Sequence, residues 1–137
     1  MRARRAAAPA HEPRRARAAR RVAALEALPG VRVCRGVPGS IPVWPYLLLH
    51  LPDEPCRDAA LARLWASGLG VGRLFAHALP DYPFLRAVVP ATAVPHARDF
   101  AARTLTISNS PWLDDARFAR IVDVLRQTLR QSAALLQ

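Results

Sequence analysis

The sequence predicts a two-layer α+β sandwich, with a small and mainly antiparallel sheet carrying its helices on one face. Three observations lead there. The 137 residues hold one domain's worth of core. Short apolar runs alternate with stretches of helical period in the order α, β, α, β, α, β, α. No tandem repeat points to a solenoid or a propeller.

Residues 1–13 mix Arg, Ala and Pro without periodicity, and Pro9 and Pro13 discourage helix, so a disordered arm is expected ahead of a domain spanning 14–137. From Arg14 to Leu28 the pattern is helical: Ala18, Val22 and Leu25 share a face, arginines cover the opposite one, and Pro29-Gly30 supplies the stop. Val31–Val33 can add a short strand outside that series, and Gly36–Ser40 is turn-forming. Ile41–Leu51 reads as a buried strand ending at Pro52, with Pro42 and Pro45 favouring a sheet edge near its start. Asp53 or Glu54 caps a second helix that takes Pro55 in its first turn, turns Leu61, Leu64 and Trp65 to the core, and ends at Gly68.

Gly70–Phe75 is the next strand, and residues 76–85 form an irregular, proline-containing loop. Pro95 opens a short helix through Arg103, and the β-branched run Thr104–Ile107 supplies another strand. In the last helix Asp114 and Asp115 cap the start. Phe118, Ile121, Val122, Leu125 and Leu129 make its apolar stripe, and Arg126 and Arg130 lie towards its C-terminus.

The formal charge of +10 is unevenly placed. Residues 1–21 hold eight arginines against one acid, whereas residues 22–137 hold twelve against nine, so the folded part is nearly balanced. Every basic residue is arginine and none is lysine, a skew that accompanies the richness in Ala and Pro and reads as composition bias. That argues against a nucleic-acid binder. The longest apolar run, Ile41–Leu49, is too short to span a membrane and is broken by two prolines. With no signal peptide and only two cysteines, Cys34 and Cys56, outside any CxxC pair, free thiols in a reducing cytoplasm are expected.

Most chemical constellations fail on context. Gly68-Leu69-Gly70-Val71-Gly72 follows a helix and leads into a strand, the reverse of the order that presents amides to a pyrophosphate. The histidines stand apart from one another and from the cysteines, so no metal site is expected. Asp53-Glu54 and Asp114-Asp115 are helix caps rather than an acid and base pair. No catalytic nucleophile with a partner base is legible. One stretch survives: Arg73, His77, Asp81 and Tyr82 place a cation, an imidazole, a carboxylate and a phenol on one exposed loop, a set that can bind and orient a polar substrate.

Four pieces in order, from Arg14 to about Gln127, resemble the C-terminal small domain of the DegT/DnrJ/EryC1/StrS aminotransferases, which use pyridoxal phosphate to aminate nucleotide-linked keto sugars. The Arg-rich helix ending in Leu28-Pro29-Gly30-Val31 is similar to the one that enters that domain. Trp44-Pro45-Tyr46-Leu47-Leu48-Leu49 resembles its Tyr-Pro-led strand, and residues 62–71 its segment ending in Gly-Ile-Gly. The His- and Tyr-bearing loop 76–85 and residues 100–115 complete the series. In the last of these the family's Leu-Pro-x-His-Pro is replaced by Ile107-Ser108-Asn109-Ser110-Pro111, without the histidine.

The resemblance implies a truncated or split small domain of a sugar-nucleotide aminotransferase from polysaccharide or lipopolysaccharide biosynthesis. Arg73, His77, Asp81 and Tyr82 would then be substrate-binding. The cofactor would sit on a large domain in another chain, since its covalent attachment needs an amine that arginine cannot supply. No cofactor is expected in this chain alone. The implied partners are that large domain, a homo-oligomer partner and a nucleotide sugar, and an exposed apolar face is expected where the large domain packs. Two other readings stand beside it: a non-catalytic binding or partner module, and a basic protein binding nucleic acid through its arm.

Overall fold

The computed structural model describes the backbone of residues 3–135 and the side chains of residues 11–135. In chain order the elements are α1 (Ala3–Glu26), β1 (Arg32–Val33), β2 (Tyr46–His50), α2 (Glu54–Ala66), β3 (Val71–Gly72), α3 (Pro95–Arg103), β4 (Thr104–Ser108) and α4 (Asp115–Leu135). Two 3₁₀ turns, Leu79–Asp81 and Pro83–Leu85, interrupt the long connection before α3. The α+β class is as the sequence predicts, with four strands that all pair antiparallel in the order β1-β2-β4-β3.

Register places the core. Leu47 pairs with Ile107 and Leu49 with Leu105, and because strand side chains alternate, all four project from one face and are fully buried. Leu25 of α1, Leu64 of α2, and Ile121 and Leu125 of α4 join them in the same core. The opposite face, carrying Tyr46, Leu48, His50, Thr106 and Ser108, is half-buried or exposed.

The helix boundaries follow their local signals. Asp53 caps α2, its carboxylate accepting from the Cys56 amide at 2.7 Å, and Pro55 sits in the first turn. Gly68, at φ +63°, adopts the left-handed conformation that closes the helix. On α4, Asp114 accepts from the Arg117 amide at 2.7 Å.

Five features depart from the sequence reading. Helical backbone begins at Ala3, inside the stretch expected to be a disordered arm; Ala and Arg are strong helix formers and here outweigh Pro9 and Pro13. Arg21, assigned to the solvated face of α1, is only 3% exposed because its guanidinium finds carbonyl partners inside. β2 is an interior strand and not an edge, and the prolines do not object because pairing starts at Tyr46, after both. Trp65 is exposed, its indole N–H donating to the Val71 carbonyl at 3.1 Å. The strand expected over Gly70–Phe75 is only Val71–Gly72, since Arg73 turns away to bond within the following loop.

Candidate functional site

The chain after β3 folds back on itself at once. Arg73 donates from its Nη2 to the Ala76 carbonyl at 2.6 Å, and Pro80 and Pro83 each lie in a 3₁₀ turn. The Tyr82 and Leu85 amides donate to the Leu79 and Tyr82 carbonyls at 3.4 and 3.0 Å. The result is a stiffened loop laid against α3.

Its fastening is an ion pair. The Asp81 carboxylate accepts from Arg98 of α3 three times, at 3.1 and 2.8 Å from Nε and 2.8 Å from Nη2, a fork-to-fork contact. Each group moves the other: the hydrogen bond from Arg98 holds the Asp81 carboxyl below the usual carboxylate range, and Asp81 raises the Arg98 guanidinium. Between loop and helix lies an open groove of about 350 Å³ lined by Arg73, His77, Asp81, Arg98 and Asp99. Ala101 and Ala102 also line it.

Three of the four residues singled out from the sequence, Arg73, His77 and Asp81, therefore share this groove. Tyr82 belongs to a second, more apolar groove of about 430 Å³ with Phe75, Leu79 and Phe100. His77 lines both, and the Tyr82 ring meets its imidazole edge-on at 5.1 Å between centroids. The arrangement is a polar pocket continuing past one imidazole into an aromatic slot. It can bind and orient a molecule with a polar or anionic part and a flat apolar part.

Charge in the polar groove is mostly settled. Asp99 is held by Arg103 at 2.6 Å, which lowers its carboxyl, and Glu54 lies 3.3 Å from the buried Arg57. Among the described residues Arg73 has no carboxylate partner, and its Nε is buried without an acceptor. Also among them, no group of three His, Cys, Asp or Glu converges as a metal site. Cys34 and Cys56 are free thiols, both pushed up by burial.

Arg98 and Asp99 were not singled out in the sequence. Asp99 to Arg103 is a readable i, i+4 helix pair, but Asp81 to Arg98 spans a long loop and leaves no periodic trace. Asn109 was missed as well. Fully buried, it donates from Nδ2 to the Arg14 and Trp44 carbonyls at 3.1 and 3.0 Å, while its own carbonyl accepts from Arg17 at 2.8 Å.

No family model and no curated protein sequence matches the chain. Solved structures do. DesI, crystallised in the presence of its TDP-sugar product, superposes at a TM-score of 0.76 with 24% identity, over 90% of this chain and 32% of its own. The aminotransferase TlmJ from Streptoalloteichus hindustanus gives 0.74 and 23% identity, over 93% and 33%. A DegT DnrJ EryC1 StrS aminotransferase from Brucella abortus gives 0.68 and 23%, over 85% and 30%. The chain has the fold of about one third of these proteins. It spans about a third of the length of the structures it matches.

Pyridoxal phosphate, which that fold implies for the whole enzyme, does not fit the residues present here. The sequence contains no lysine to attach it, and arginine cannot supply the deprotonated amine that attachment needs. Nor is any helix of the described residues long and apolar enough to cross a membrane.

Proposed function

We propose that this chain is the small domain of a DegT/DnrJ/EryC1/StrS sugar-nucleotide aminotransferase and works only beside a polypeptide that carries the cofactor. The observation that supports it most is coverage: the match to aminotransferase structures takes in 85–93% of the chain and no more than about a third of theirs. In this reading Arg73, His77 and Asp81 line the substrate entrance and Tyr82 walls the slot beside it. Arg73 supplies a cation without a carboxylate partner among the described residues for an anionic part of the substrate, and the His77 and Tyr82 rings, set edge to face, wall the space for an apolar part.

The experiment is complementation. The purified chain, given pyridoxal phosphate, an amino donor and a keto-sugar nucleotide, forms no amino sugar. Adding the large domain of a family enzyme, prepared without its own small domain, restores turnover, and Tyr82→Ala weakens the restored KM. Turnover by the chain unaided overturns the proposal, as does a large domain that gains nothing from it.

A further inference from the structure

We infer that Asp81 is an internal occupant of an oxyanion site built around Arg98, and that an external carboxylate or phosphate binds by displacing it. This deepens the reading of the same groove as a substrate entrance and takes its biological setting from that reading. The chemistry stands on the groove alone.

The two cations of the groove differ in what they are doing. Arg98 presents the fork of donors that matches a carboxylate or phosphate, and the fork is filled by the Asp81 carboxylate through three hydrogen bonds of 2.8 to 3.1 Å. Arg73 is only half spent: one nitrogen bonds the Ala76 carbonyl, while Nε is buried with no acceptor among the described residues. The remaining acids on the lining are taken. Asp99 belongs to Arg103 and Glu54 lies against Arg57. Once Asp81 swings out, the pocket holds two guanidinium groups facing acids already engaged elsewhere, with His77 at its rim.

Swinging out is within reach. Asp81 ends a three-residue 3₁₀ turn, and both partners of the pair are partly exposed, at 48% for the Arg98 side chain and 33% for Asp81. An exposed ion pair is only weakly held and is screened by salt. The carboxylate is close enough in affinity to an incoming anion for competition, and it balances the charge of Arg98 when none is present. No covalent step is involved.

The test uses the full chain and two probes, inorganic phosphate and acetate, titrated at constant ionic strength against chloride by NMR of the arginine Nε–H signals. Asp81→Asn removes the competing charge and keeps the side-chain shape. It is expected to bind phosphate about three- to fivefold tighter than the unaltered chain, the scale of one exposed ion pair. Arg98→Met in the same background loses the gain, and Asp81→Glu, which still competes, shows none.

Phosphate gaining more than acetate identifies a phosphoryl ligand, and the reverse a carboxylate. Equal weak binding in the unaltered chain and Asp81→Asn overturns the inference, and so does a gain that survives Arg98→Met. Should Asp81→Asn unfold, judged by its thermal melt, Arg98→Met in the otherwise unaltered chain carries the decision: its phosphate response must fall. Complementation with a large domain is measured separately, so a failed anion titration leaves the aminotransferase reading standing, and failed complementation leaves the anion site standing.

Discussion

Two arginines of this chain sit in opposite surroundings. Arg21 is 3% exposed and points its guanidinium at fixed acceptors: the Leu113 carbonyl, the Ser108 carbonyl at 3.3 Å and the Asn109 Oδ1 at 3.4 Å. It also lies 4.9 Å above the Phe118 ring. Arg98 is half-exposed and bonds one movable carboxylate. The contrast separates a structural cation from an exchangeable one. A guanidinium whose acceptors are backbone carbonyls and the amide oxygen of a buried asparagine has nothing to give up, whereas one held by a side chain on a surface loop can trade partners.

The sharpest way to break that contrast is to remove the buried member. Burial already works against Arg21, since desolvation, followed by the charge of Arg17, lowers its pKa. Its loss is nonetheless costly, because the acceptors it serves are left unsatisfied inside the protein. Arg21→Ala is expected to destabilise the fold by about 3 kcal/mol in urea denaturation, and Arg21→Met by less, since it keeps the packing over Phe118. A change below about 1 kcal/mol in both would place Arg21 among the dispensable surface charges.

Asn109 comes next. Its side chain ties the Arg14 and Trp44 carbonyls together and its backbone oxygen receives Arg17, so one residue joins α1, the segment before β2 and the end of β4. It also steadies Trp44, whose φ of +49° is a costly conformation for an aromatic residue. Asn109→Ala is expected to cost about 2 kcal/mol by the same denaturation measurement. Because Arg21 and Asn109 touch, the double variant should cost less than the two changes added together.

The same contrast explains what the sequence made legible. Cap and stop residues act within one turn, so Asp53, Pro55, Gly68 and Pro95 marked their helices at the right places. The apolar stripe of α4 and the β-branched run of β4 were equally local. Burial of a charge is not local: Arg20 and Arg21 are neighbours of the same type, and only the fold decides that one is exposed and the other enclosed. Strand order failed to show for the same reason, since the prolines before Tyr46 say nothing of what pairs after it. In the candidate site the loop residues were visible as a run, while their fastener on α3 was invisible because a long irregular connection carries no period.

A smaller effect comes from pH. His50 ends β2, opposite Arg32 of β1, with its ring stacked on Phe100 and its Nε2 3.9 Å from Asp99. Burial lowers its pKa, and Arg103 and Arg32 lower it further against the opposing pull of Asp99. A histidine that is harder to protonate when folded contributes full stability above its unfolded value of 6.5 and loses it as pH falls below that value, through the depressed folded one. Unfolding free energy should therefore drop on acidification from pH 6.5, and His50→Gln should flatten that part of the profile. An unchanged profile in the variant would assign the acid sensitivity elsewhere.

The least effect on stability is expected at the exchangeable arginine itself. Arg98→Met removes a surface pair and leaves the core untouched, so the urea midpoint should stay where it is. What should change is the loop that Asp81 fastens. Arg86 lies just past the second 3₁₀ turn, exposed to trypsin, and cleavage there requires local opening rather than global unfolding. Trypsin should cut after Arg86 severalfold faster in Arg98→Met, while cleavage within α4 keeps its original rate. If both sites sped up together the pair would be bracing the whole domain, and the distinction between the enclosed and the exchangeable cation would fail. If neither changed, the prolines alone would be holding the loop, and Asp81 would be free to leave Arg98 with no structural consequence.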